Sequence, residues 1–147
     1  MSKNDAKIQE LETKMLELET NWKRALADYK NLENRFAEEK SAMTDFANVV
    51  LLSQIVPVLD NFEMLEIHTE DEGIKLTVRD FKQVLENAGL KIIETKKGDD
   101  FDPRTMDAID TVDGEKNKVM SIERKGYTFR NKLVRPTSVK VGKGKEE

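Results

Sequence analysis

The chain has 147 residues, 37% hydrophobic and 37% charged, with a formal net charge of −4. That is enough for one small globular domain plus an extended element, and the charge balance argues against a life on nucleic acid or anionic membrane, although Lys132 to Lys145 form a basic stretch. With no cysteine and one histidine, disulfides, thiolate chemistry and Cys-type zinc sites are excluded, and His68 has no second histidine for a shared metal.

The first element is a helix predicted over about 3–50. Ile8, Leu11, Met15, Leu18, Trp22, Ala25, Tyr29, Leu32 and Phe36 follow a 3-4-3-4 rhythm that resumes at Met43, Phe46 and Val50, which is the pattern of a helix burying a narrow seam against another helix. At about 1.5 Å per residue it would run roughly 70 Å, longer than this chain could cover alone. It is expected to protrude and pair with the same helix of a second copy, making a homodimer. Bulky Trp22, Tyr29 and Phe36 opposite small Ala25, and Glu39 within the stripe, predict loose packing. The alternative is a solitary amphipathic helix lying on its own domain.

From Leu51 the stripe widens through Leu52, Ile55, Val56, Leu59, Phe62 and Leu65, as in a bundle helix. Pro57 predicts an end or kink near Ile55–Val56 and a new helix from Pro57. The acidic stretch Thr69 to Gly73 reads as a loop, with His68 exposed beside it. Residues 74–90 read as a further helix using Ile74, Val78, Phe81, Val84 and Leu85, with Gly89 as a left-handed stop. Two short helices per chain would form a four-helix bundle across the dimer, adding Phe62 to the dimerisation residues.

After Leu90 the pattern becomes that of strands: LKIIE, TMDAIDTV, KVMSIERK, GYTF and LVRPTSVKV. A tight turn is predicted at Arg130-Asn131, a loop at Lys97 to Pro103, and a bend or bulge at Gly126. The fold class is therefore α+β: a long paired, coiled-coil-like helix (1–50), short bundle helices (51–89) and a small all-β domain with a basic tail (90–147).

No nucleophile elbow, phosphate loop or dinucleotide fingerprint occurs, and the charged residues are interspersed as on a solvated surface, so no enzyme activity, metal or cofactor is expected. Gly142-Lys143-Gly144-Lys145 lacks phosphate-loop spacing and reads as a solvated tail. No run approaches eighteen uninterrupted apolar residues and the start MSKNDAKIQE has no signal core, so a soluble, cytoplasmic protein without a membrane partner is expected.

The segments DYKNLENRF, IVPVLDNFEML, FDPRTMDAI and GYTFRNKLVRPTSVKV, in this order, resemble the GrpE family of nucleotide exchange factors over about Tyr29 to Val141. The resemblance implies a dimeric co-chaperone that binds the ATPase domain of a DnaK-type chaperone, opens its nucleotide cleft and speeds ADP release. It further implies parallel long helices, a four-helix bundle and β domains that stand out as wings. Matching positions implied in partner binding are Phe46, Gly73, Asp102, Pro103, Met106, Lys132 and Arg135, with Lys132 the best exposed contact. Val139 and Val141 also match, as core residues.

Asn131 and Thr137 depart from the family's pattern, the first harmlessly because asparagine tolerates a left-handed backbone. Glu33, Asn34 and Ala42 replace basic residues, which shifts the expected contact toward the β wing. The long N-terminal extension common in the family is not seen, and neither are its auxiliary contacts expected. A coiled-coil adaptor whose β domain binds an unrelated protein is the alternative; a nucleic-acid binder would show steep salt dependence.

Overall fold

A helix of 66 residues, α1 (Lys3–His68), opens the computed structural model, which describes residues 2–144. Ser2 and Asp5 cap its start reciprocally: Asp5 N–H donates to Ser2 Oγ at 3.2 Å and Ser2 N donates to Asp5 Oδ2 at 3.0 Å. Contacts divide the chain into two compact units, Met1–Thr44 and Asp45–Glu147. In the first, every described residue is exposed. Ion pairs such as Lys23–Glu19 and Arg35–Glu39, at the (i, i+4) spacing, add only a few tenths of a kcal/mol each.

Of the end or kink expected near Ile55–Val56, the end is not found: α1 continues through Pro57 and no new helix starts there. Pro57 and Ser53, whose carbonyl loses its proline-side donor, are both exposed, so water can satisfy that carbonyl. Past Thr44 the helix carries a second stripe. Val49, Leu52, Val56 and Leu59 recur at the same 3-4 spacing and turn into the core, with Val56 fully buried. Met43, Phe46 and Val50 lie on another face, roughly 100–160° around from Asp45 at about 100° per residue, and stay exposed.

Helix α2 (Glu72–Ala88) starts within the expected loop, because Asp71 caps it: Oδ1 accepts from Gly73 N at 2.8 Å and Ile74 N at 3.3 Å. It ends as foreseen at Gly89, φ 114°, a conformation that strains a side chain. Val78 and Leu85 are buried, whereas Val84, expected on the apolar face, is 64% exposed. Phe62 and Phe81 meet edge to face at 5.4 Å between α1 and α2.

Six strands follow: β1 (Leu90–Ile92), β2 (Met106–Val112), β3 (Val119–Arg124), β4 (Tyr127–Phe129), β5 (Lys132–Arg135) and β6 (Thr137–Gly142); the expected single strand LVRPTSVKV is split at Pro136, which has no N–H to give a ladder. They form two three-stranded sheets, β1-β4-β5, antiparallel throughout, and β2-β6-β3, in which β2 runs parallel and β3 antiparallel to β6. The chain is thus α+β. The first sheet has no separate core: Leu90, Tyr127 and Phe129 pack with Leu52, Val56, Leu59 and Leu85. The second buries Met106, Val119, Val139 and Val141, flanked by Phe101.

Arg130 and Asn131, φ 46° and 63°, make the expected tight turn between β4 and β5. Gly126 lies where the chain crosses from the second sheet to the first, and a Cβ there would stand 2.5 Å from Thr137 N and Oγ1. Close approach is therefore its requirement. Gly142, read from the sequence as tail, is instead buried at the end of β6, its N–H donating to Lys118 O at 2.9 Å. Lys145 of the expected basic tail lies outside the described residues.

Candidate functional site

The seam residues Ile8, Leu11, Met15, Leu18, Trp22, Tyr29, Leu32 and Phe36 are each more than half exposed, and Ala25 beside them is exposed. An apolar stripe of this length on a monomer is a mark of an interaction surface. Phe62 is half-buried against Phe81, so part of its surface is already used within the chain.

In the second unit a polar group gathers beside Phe46, itself 66% exposed. Its neighbour Asp45 accepts from Arg130 Nη1 at 3.1 Å and has Lys132 Nζ at 4.0 Å. The turn between β4 and β5 thereby brings two cations to the helix position next to Phe46. Arg130 also lies over the Phe129 ring, 5.3 Å from its centroid. Asp45 and Arg130 were not singled out from the sequence; a helical acid just outside the apolar stripe and an arginine in a left-handed turn carry no local signal of meeting.

Arg135 is committed inward. Its guanidinium grips both oxygens of Asp60, Nη2 to Oδ1 at 2.8 Å, and donates to the Lys125 carbonyl from Nε at 3.1 Å and Nη2 at 2.7 Å. It lies 5.7 Å from the Tyr127 ring centroid. The bond to Asp60 raises its pKa further above an already basic value.

Asp102, Pro103 and Met106 make one turn. The Asp102 carbonyl accepts from Thr105 N at 3.1 Å and Met106 N at 2.8 Å, while its carboxylate takes Arg104 N at 3.0 Å and Nε at 3.1 Å. Those bonds hold the Asp102 carboxyl below its usual range. Met106 is buried in the second core and Pro103 is exposed. Gly73 is exposed in the first turn of α2, and a Cβ on it would come 3.1 Å from Asp71 Oδ1. Of the implied partner-binding residues, Lys132 reaches Asp45, the residue before Phe46 on α1, while Phe46 itself stays exposed on another face of the helix; Gly73 and the Asp102 turn belong to other parts of the unit.

A cleft of 910 Å³ is lined by residues from α1, α2, β1 and β3, among them Met64, Ile67, Ile92 and Ile122. Among the described residues no cluster of three or more His, Asp or Glu side chains could hold a metal ion. By length and composition α1 contains a window, of mean hydropathy 1.5, sufficient to cross a bilayer; its Leu52, Val56 and Leu59 are taken up by the protein core.

A family model described as GrpE matches residues 1–143. Curated relatives named Protein GrpE include that of Parageobacillus thermoglucosidasius, 36% identical over 93% of this chain and 66% of its own length. Those of Campylobacter curvus and Bacillus cereus are 31% and 33% identical, each over 92% of this chain, and are spanned over 82% and 77% of their lengths. The chain therefore spans just under two thirds of the Parageobacillus protein and more of the others. With the family pattern running from the start of α1 through the end of β6, the chain belongs to the GrpE family.

Proposed function

We propose that this protein is a non-enzymatic co-chaperone that binds the ATPase domain of a DnaK-type chaperone, opens its nucleotide cleft and accelerates ADP release. The observation that carries the reading is the GrpE family match along residues 1–143. The exposed apolar seam of α1 supports a homodimer built on 1–50, with 51–89 contributing to a four-helix bundle and 90–147 serving as the β wing. It works in the cytoplasm, with neither membrane nor nucleic acid as partner.

Exposed Lys132 and Phe46 are the contact residues of this reading, with Gly73, Asp102, Pro103, Met106 and Arg135 as the further partner-binding positions that the family resemblance implies. The mechanism is linkage. A protein that binds the open ATPase cleft more tightly than the closed one must weaken ADP by the same factor. A hundredfold weakening asks for about 2.7 kcal/mol of differential contact, within reach of a modest interface.

The test is stopped-flow release of a fluorescent ADP analogue from a DnaK-type chaperone, chased with ATP. Release should accelerate and saturate with added protein, and Lys132→Ala should raise the half-saturating concentration about five-fold, as expected for losing about 1 kcal/mol at a contact charge. Release unchanged by folded protein would reject exchange activity and favour a coiled-coil adaptor.

A further inference from the structure

On the face of α1 that meets the first sheet, Glu63 follows Leu59 by one helical step and ends the apolar stripe with a carboxylate only 18% exposed. One oxygen, Oε1, receives two ammonium groups from two other elements: Lys125 Nζ at 3.0 Å, from the link between β3 and β4, and Lys82 Nζ at 3.4 Å, from α2. Lys82 also donates to Glu66 Oε2 at 2.9 Å. Burial pulls the Lys82 pKa down, but its bonds to Glu66 and Glu63 outweigh this and leave it raised, while Lys82 holds the Glu66 carboxyl low.

The Lys125 link is the place where the chain leaves one sheet for the other, immediately before Gly126. It is pinned to α1 twice. Its carbonyl accepts from Arg135, which is itself held by Asp60, and its side chain ends on Glu63. Glu63 is therefore the atom-level junction of α1, α2 and the crossover between the sheets.

We infer that Glu63 is a positioning residue that couples α2 to the β domain, so that the posture of the β domain follows that of the helical hairpin. Lys82 and Lys125 carry like charges and are joined through Glu63 alone among their ion pairs. Removing either lysine leaves Glu63 one counter-charge. Removing both leaves a half-buried carboxylate without a direct ion-pair partner among the described residues, only Arg135 nearby, which costs more than the two separate losses.

The first measurement is the urea midpoint of the full chain carrying Lys82→Met, Lys125→Met and both, each in the Glu63 parent and in the Glu63→Gln variant. With Glu63 present, the double variant should shift the midpoint by more than the sum of the singles; in the Glu63→Gln background the excess should vanish. Additive shifts with Glu63 present overturn the inference, whatever the protein's activity.

The consequence for function rests on the exchange reading above and is read from the plateau of stimulated ADP release. Unfolded material is merely missing, so it raises the half-saturating concentration and leaves the plateau alone. A loosened β domain binds but transmits less, so Glu63→Gln should lower the plateau about threefold, the factor matching a part-exposed ion pair. An unchanged plateau beside an active wild type overturns the inference. An inactive wild type instead overturns the exchange reading, and the urea series still decides on Glu63.

Discussion

Tyr127 shows how one side chain records its surroundings. It is buried in the first core, and burial, reinforced by the charges of Glu63 and Asp60, pushes its phenol up to about 12. Below the ordinary value of 10.0 both folded and unfolded chains keep the proton. Between that value and about 12 only the unfolded chain releases it, so stability falls as pH rises, by on the order of 2–3 kcal/mol across the window. Lys82, with its raised pKa, adds loss of the same sign in alkali. Urea unfolding at stepped alkaline pH should therefore show a shallower decline for Tyr127→Phe than for the wild type. Equal declines would mean that the phenol is not what the core protects.

The helices divide into those whose limits are local and those whose limits are not. Asp71 and Gly89 bound α2 through backbone chemistry within a few residues, and Asp71→Ala should cost about 1 kcal/mol in urea unfolding while Asp71→Asn, an equally good cap, costs a few tenths or less. A cost for Asn matching that for Ala would assign the effect to charge and not to the cap. Pro57 illustrates the other case. Proline alone predicts a break, yet Val56 and Leu59 on either side of it are buried in the core with Tyr127 and Phe129, and that packing outweighs a single lost backbone bond on the exposed side.

Across the whole chain, the contrast lies between a unit with two apolar cores and a helical unit that has none. The described residues before Asp45 bury nothing, although helices draw most of their stability from packing an apolar face. Covering the seam would supply that packing, and Trp22, the single tryptophan, sits in it. On dilution, Trp22 emission should move to longer wavelength together with a loss of helical circular dichroism, both concentration-dependent. Spectra independent of concentration would remove the second copy as the cover.

The 3-4 stripe of α1, the glycine stop of α2, the positions of the first four strands and the turn at Arg130-Asn131 were legible in the residue order, as were the segments that resemble the GrpE family. Each rests on contacts between near neighbours, where spacing alone says which side chains share a face. The pairing of Asp45 with Arg130, Asp60 with Arg135 and Glu63 with Lys125 was not legible, because these partners stand 85, 75 and 62 residues apart. The division of six strands into two sheets and the meeting of Lys132 with Asp45 have the same origin. Sequence periodicity marks that a face is apolar or charged; only the folded chain decides which distant face it meets, since that choice is made by packing and charge pairing summed over the core.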